Sequence, residues 1–192
     1  IDKEYYREQK QQPCDPEKVL VSFDKVTLPG SYRDISFDLH AGEVLCLVGT
    51  EGAGREAILR TVFGLEKPAS GTVEIKGQAR RGHDARAAVE AGVGYVPRER
   101  KIEGIVGGMN VYENMTLSQM GRYSTAGILR IGEEKALARD WIKRLGIKTP
   151  NVFKDCGGLS GGNQQKVVLA KWRSGGSDII LLDHPTRGLD IG

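Results

Sequence analysis

The sequence predicts an α/β fold with a mainly parallel core, and three observations carry that prediction. Short apolar runs at residues 44–48 (VLCLV) and 179–182 (IILL) have the length and unbroken apolarity of strands buried on both faces. Segments with helical spacing alternate with strand-like ones, as the connections between parallel strands require. A glycine-rich turn at 49–54 joins the first run to a helical segment.

Taken in order, strands are predicted at 19–23, 35–39 and 44–48. Residues 34–39 alternate polar and apolar, as a half-buried strand should. A helix follows over 55–63, with Gly64 placed as its C-terminal stop. Residues 71–77 return as a strand through Thr72, Val73 and Ile75; 84–91 reads as a helix and 93–96 as a short strand. Three glycines within 103–110 predict a mobile connector. From 111 to about 156 the pattern is helical, with Leu137, Trp141 and Leu145 sharing a face with Ala138 and Ile142. A last helix at 160–172 precedes the strand at 178–182. The expected organisation is a polar linker at 1–16 and one domain over 17–192, with a small helical subdomain inserted at about 105–158. The linker and the first residue, Ile1, predict a fragment of a longer polypeptide.

Composition narrows the function. Apolar residues make up 39% and charged residues 28% of the 192, the balance of a globular domain rather than a disordered one. No apolar run approaches the roughly 20 residues that span a bilayer, so membrane contact would come through a partner. With 28 basic against 25 acidic residues, charge argues against nucleic acid as a partner. Cys14, Cys46 and Cys156 are far apart and read as free thiols.

The turn after residue 48 reads Gly49, Thr50, Glu51, Gly52, Ala53, Gly54, Arg55, Glu56, Ala57. Its backbone half matches a phosphate-binding loop, G-x-x-x-x-G-K-[ST] between a strand and a helix. Glycines let successive N–H groups converge on an anion, and the helix start adds positive potential. The side-chain half departs. Arg55 stands where the lysine belongs and Glu56 where the Mg²⁺-binding hydroxyl belongs. Arg55 keeps the charge as a planar fork. A carboxylate about 4 Å from a phosphate charge costs roughly 1 kcal/mol in water and about 4 at an effective dielectric of 20, so weak nucleotide binding is expected. The same loop also fits the dinucleotide fingerprint G-x-G-x-x-A, with Glu74 lying 22 residues past Gly52 as a ribose-binding acid. A bare structural turn is a third reading, and the loop alone does not choose.

Two downstream segments do. Leu159, Ser160, Gly161, Gly162, Asn163 and Gln164 begin the run LSGGNQQK, which puts a serine and two glycines at a helix start able to present amides and a hydroxyl to an anion. The run LLDHPTRGLD carries Asp183 at the end of an apolar strand, where an acid can hold Mg²⁺ directly or through water. A dinucleotide-dependent oxidoreductase accounts for neither.

On these motifs the sequence resembles an ABC-transporter nucleotide-binding domain. NQQK, PTRG and the arginine in the phosphate loop are most similar to the second ATPase half of bacterial monosaccharide importers of the ribose and galactose type. The resemblance runs from about Val19 to Gly192. It implies a P-loop NTPase core, an N-terminal group of antiparallel strands and an inserted helical subdomain, cut short at the C-terminus. It implies ATP and Mg²⁺ as ligands, with the loop at 49–56 as Walker A and Asp183 as the Mg²⁺-associated acid. Ser160, Gly161 and Gly162 would act in trans, reaching the γ-phosphate bound by the partner half. Arg98 would stand in the Q-loop glutamine's place, and residues 103–115 would meet the membrane subunit. The implied partners are a first ATPase half in the same polypeptide, transmembrane permease subunits and, indirectly, a periplasmic sugar-binding protein, with the domain on the cytoplasmic face of the inner membrane.

Four departures from the family pattern stand together: Arg55, Glu56, Arg98, and His184 where a glutamate normally polarises the attacking water. An imidazole can accept a proton near neutral pH, so His184 is the candidate base of a slow or silent site. Tyr32 and Phe23 are the candidate adenine-stacking aromatics, while His40 and His83 read as surface residues. A purely scaffolding module on the same fold is the remaining alternative.

Overall fold

The computed structural model describes residues 13–80 and 84–186, and it divides into two compact units, Ile1–Asp84 and Ala85–Gly192. Of the predicted linker, residues 1–12 lie outside the described residues, and Asp15 and Pro16 already open a strand. His83 also lies outside them.

In the first unit, β1 (Asp15–Leu28) and β2 (Tyr32–Ala41) form an antiparallel hairpin around Pro29, Gly30 and Ser31. Helix α1 (Arg55–Phe63) follows, then β3 (Ser70–Ile75) and β4 (Gln78–Ala79), giving one sheet in the order β2-β1-β3-β4 with every pair antiparallel. The implied N-terminal antiparallel strands are therefore present. β1 buries Val21 and Phe23, then changes phase to bury Val26. Its pairing with β2 slips between Phe23 and Val26, and Lys25 takes a left-handed φ of 48°. One extra residue in a bulge moves the buried face from odd to even positions. Val21, Phe23, Val26, Ile58, Val62, Phe63, Val73 and Ile75 are the unit's buried apolar side chains, with Tyr32 buried to a similar degree.

The apolar run at 44–48 is not a strand. It has no ladder partner among the described residues, and Val44 and Val48 are 93% and 87% exposed. Apolarity predicts burial on two faces, but a strand also needs neighbours on its edges to take its backbone N–H and C=O groups. Sequence periodicity cannot supply those.

The second unit opens with α2 (Ala85–Glu90) and β5 (Val93–Val96), followed by a π-helical turn at Arg100–Gly104. Then come α3 (Val111–Thr116), a 3₁₀ segment Leu117–Tyr123, and a small hairpin of β6 (Ser124–Thr125) and β7 (Ile128–Leu129). Helix α4 (Ile131–Leu145), a 3₁₀ turn Cys156–Gly158, α5 (Gly161–Ser174) and β8 (Ile179–Leu182) complete it. β5 and β8 pair in parallel, Val93 opposite Ile179 through Val96 opposite Leu182. α5 lies against β5, where a Cβ on Gly94 would sit 2.6 Å from Trp172 Cβ. Val167, Val168 and Ala170 of α5 are fully buried.

The segment at 103–110, expected to be a loose connector, is held in place, with one side chain bonding to three of its residues. Asn114, 1% exposed, accepts from Val106 N–H at 2.8 Å and donates to the carbonyls of Val106, Met109 and Asn110 at 3.0, 3.2 and 3.1 Å. Glycines make the turn conformable; the amide of Asn114 selects one conformation. The predicted apolar face of α4 is present only in part. Its fully buried positions are Ala138 and the charged Glu134, whose Oε1 accepts from Thr116 Oγ1 at 2.8 Å.

A buried cation ties α5 to the π-helical turn. Lys171, 8% exposed, donates through Nζ to Gly104 O at 2.7 Å and lies 4.9 Å from the Trp172 ring centroid. Burial pushes its ammonium down to about 8, a fall that nearby Cys156 partly opposes. Burial pushes the Cys156 thiol up to about 11, against the pull of Lys171.

Two outcomes follow for stability. Asn114→Ala takes the acceptor from Val106 N–H, while the carbonyls of Val106, Met109 and Asn110 keep backbone donors from Met109, Cys156 and Asn114 itself. It should lower unfolding free energy by about 1–2 kcal/mol, read as a lower urea midpoint with unchanged slope. The unfolded chain holds the Lys171 proton more tightly than the native one, so the burial cost is full below pH 8 and is relieved as pH rises through 8 toward the ordinary value of 10.5. Cys156 acts in the opposite sense, subtracting stability between about pH 9 and 11. From pH 8 to 9 the wild type should therefore gain about 1 kcal/mol relative to Lys171→Met, measured by denaturant unfolding at each pH.

Candidate functional site

The loop at 49–54 is surface-exposed apart from Gly54, which is half-buried and caps α1. Gly52 and Gly54 have φ of 81° and 84°, the left-handed region that favours glycine. They differ in their surroundings. A Cβ on Gly52 would meet open space, whereas one on Gly54 would lie 2.5 Å from Ser31 O, at the turn of the β1–β2 hairpin. Ala53 N–H donates to Thr50 O at 3.2 Å and closes the loop. Arg55 and Glu56, both half-buried, are the first residues of α1. The stem of Arg55 runs back beside the loop, its Cδ 3.5 Å from where a Gly49 Cβ would be. The loop thus keeps a bend with the helix start behind it.

The aromatic candidates do not serve the loop. Phe23 is 1% exposed and stacks on Phe37, ring centroids 4.9 Å apart at 17°. Tyr32 is buried, its hydroxyl 2.6 Å from Thr61 Oγ1, and burial raises its pKa. Their rings suit stacking, but the hydrophobic core takes both. His40 is half-buried and not a plain surface residue: its backbone N–H and Nδ1 both reach Glu43 Oε2, at 2.8 and 3.0 Å, holding that carboxyl below its ordinary pKa.

In the second unit, Ser160 is exposed at the N-cap of the 14-residue α5, with φ −61° and ψ 156°. Its hydroxyl makes no capping bond to the helix; Oγ accepts from Asn163 Nδ2 at 2.8 Å. Asn163 is held in turn by Lys148 N–H, which donates to its Oδ1 at 2.7 Å. With Oγ accepting from Asn163, the hydroxyl hydrogen of Ser160 is left to donate outward. Leu159, Gly161 and Gly162 are half-buried around it. Gln164 is a correction to the predicted set. It is 1% exposed and turns inward, donating to Gly157 O at 3.2 Å and Cys156 O at 3.4 Å. It staples the 3₁₀ turn before Ser160 and cannot reach a partner molecule.

At the end of β8, Asp183 extends the parallel ladder by donating its N–H to Val96 O at 3.0 Å. Its side chain is buried. Oδ2 accepts from Tyr95 Oη at 3.2 Å, and Oδ1 lies 2.6 Å from His184 Nδ1. Successive side chains of an extended strand point to opposite faces. His184 reaches its neighbour because its backbone turns into the left-handed region, φ 48°, a conformation that costs a non-glycine residue about 1 kcal/mol. Arg98 sits half-buried in the turn just after β5. Tyr95, absent from the predicted site, carried one signal: a polar-tipped residue inside the otherwise apolar run VGYV.

Comparison with known proteins agrees with these motifs. A family model described as ABC transporter matches residues 32–187. The chain is 44% identical over 164 residues to the ribose import ATP-binding protein RbsA of Jannaschia sp. (strain CCS1), covering 85% of this chain and 32% of that protein. It is 37% identical over 187 residues to a putative ribose/galactose/methyl galactoside import ATP-binding protein of Burkholderia ambifaria, covering 97% and 36%. The chain spans about a third of the length of these curated relatives. Among solved structures, the ATP-binding cassette MJ0796 bound to ADP and Pi superposes with a TM-score of 0.75 at 23% identity, over 90% of this chain and 77% of that one. The cbiO1 protein of Clostridium perfringens gives 0.71 at 20%, over 90% and 68%. The fold is that of these cassettes, and the dinucleotide reading of the loop falls away.

The two loop glycines separate conformational strain from steric conflict. Gly52→Ala should cost about 1 kcal/mol, from the left-handed backbone alone. Gly54→Ala should cost at least about 2, since Ser31 O must also move; urea midpoints of the two variants measure the difference.

Proposed function

The chain belongs to the ABC transporter family, and from that premise we propose that it is the ATP-binding second half of a sugar importer's tandem ATPase polypeptide. In this reading residues 1–16 link it to a first ATPase half, 17–192 form the nucleotide-binding domain, and about 105–158 form the helical subdomain that meets the permease. No helix among the described residues is long and apolar enough to cross a membrane. Association with the cytoplasmic face of the inner membrane then runs through permease subunits, which receive sugar from a periplasmic binding protein. The import names of the relatives support the sugar.

Two sites divide the labour. The loop from Gly49 to Ala57, with Arg98, binds ATP weakly: its backbone bends as a phosphate loop should, but Arg55 and Glu56 replace the ammonium and the hydroxyl. Asp183 is a hard oxygen donor suited to Mg²⁺. Each of its oxygens already holds one protein donor yet keeps a second lone-pair direction, so the residue fits an ion reached through water. When bound, Mg²⁺ neutralises phosphate charge. In this reading His184, with an imidazole that can accept a proton near neutral pH, is the candidate base, and hydrolysis at this site is slow.

The observation that carries the reading is the exposed Ser160. Its hydroxyl hydrogen and the first amides of α5 form a donor group on the surface, buttressed by Asn163. Fixed donors aimed at developing phosphate charge stabilise a transition state without owning a base. This turn completes the ATP site of the other half.

In the reassembled transporter, Ser160→Arg should reduce ATP-driven sugar uptake about 100-fold or more, the scale of losing one preorganised transition-state donor. Arg55→Ala should change it only a few-fold. Equal losses, or a larger loss with Arg55→Ala, would overturn the division of labour.

A further inference from the structure

We propose that Tyr95 and Asp183 are positioning residues that hold His184 in a single tautomer, with the proton on Nδ1 and the lone pair on Nε2. The inference rests on reading the end of β8 as an ATP site, and adds to it where the imidazole proton sits and what keeps it there. A carboxylate oxygen accepts and does not donate, so the 2.6 Å contact between Asp183 Oδ1 and His184 Nδ1 requires the hydrogen on Nδ1. In the neutral ring this leaves Nε2 as the proton acceptor. The hydrogen bond on one imidazole nitrogen decides what the other can do.

Asp183 can hold the ring only if its own rotamer is held. Its second oxygen accepts from Tyr95 Oη at 3.2 Å, and both Asp183 and Tyr95 are 5% exposed. Strand register places the pair. Tyr95 lies opposite Leu181, and Asp183 is two residues further along β8 on the same face. The left-handed backbone at His184 supplies the last element, folding the ring back toward the carboxylate. Three independent features, a register, a buried hydroxyl and an unusual φ, converge on one proton position. Where a glutamate at this position would carry its own negative charge, an imidazole needs a neighbour to specify which nitrogen is basic. Asp183 would then serve both the ring and any Mg²⁺, which it would hold through water.

The test reads the tautomer directly. In full-length protein labelled with ¹⁵N-histidine, two-bond ¹H–¹⁵N correlation spectra distinguish an Nδ1–H ring from an Nε2–H ring, with the His184 signals assigned by their loss in His184→Gln. Spectra are recorded without nucleotide, with the imidazole neutral. The wild type should show the Nδ1–H pattern. Asp183→Ala should convert it to the Nε2–H pattern. Tyr95→Phe, which leaves the core isosteric and serves if Asp183→Ala fails to fold, should move both nitrogen shifts toward the tautomer-averaged values. An Nε2–H pattern in the wild type overturns the proposal, as does an Nδ1–H pattern unchanged in either variant. ATP titration is a separate arm. A protein that shows the Nδ1–H pattern but binds no ATP loses the ATP-site reading and keeps the positioning pair.

Discussion

The parallel ladder between β5 and β8 is the constraint on which the second unit's chemistry depends. It runs from Val93 opposite Ile179 to Val96 opposite Leu182, and the amide of Asp183 extends it by donating to Val96 O. That bond sets the height of Asp183 on the sheet and hence its place beside Tyr95. It also sets where the chain leaves the strand, so that His184 can turn back. Slip the register by one residue and Asp183 faces the opposite side of the sheet, away from the Tyr95 hydroxyl. A buried carboxylate without donors is expensive, so the ladder and the polar cluster stabilise each other.

In the first unit the organising element is the β1–β2 hairpin. Its turn brings the Ser31 carbonyl against Gly54, so the bend of the glycine loop is packed against the hairpin instead of merely permitted by glycine. The same hairpin takes Phe23 and Tyr32 into the core. The bend at Gly54 is therefore fixed by packing against the hairpin turn as well as by glycine's conformational freedom.

Between β5 and α5 the chain is held by polar groups as much as by apolar ones. Asn114 ties down the glycine-containing segment at 103–110, Thr116 satisfies Glu134, and Lys171 ties the π-helical turn to the helix that starts at Ser160. Each is a buried polar group whose partner is far along the sequence or on the backbone. Such networks specify one arrangement because any other leaves a donor or acceptor unpaired. The Lys171 contact joins the segment following Arg98 to the helix that Ser160 caps.

Much of the element order was legible in the sequence. Helix α1 with its Gly64 stop, β5, α5 and β8 lie where periodicity and capping residues put them, because those signals are local. So was the chemistry of the motifs: a bent glycine loop, a serine at a helix start and an acid at a strand end can be recognised from residue type and spacing. The segment at 44–48 is not legible as a non-strand, because apolarity says what a side chain prefers and not which strand will lie beside it. Gln164 was grouped with its exposed neighbours because a motif does not reveal which of its side chains turn inward. Tyr95 and Asp183 are 88 residues apart, and only the folded register makes them neighbours. Sequence by itself determined the family and the place of most helices and strands; tertiary structure alone decided which polar atoms meet, since hydrogen bonds depend on distances that no local pattern encodes.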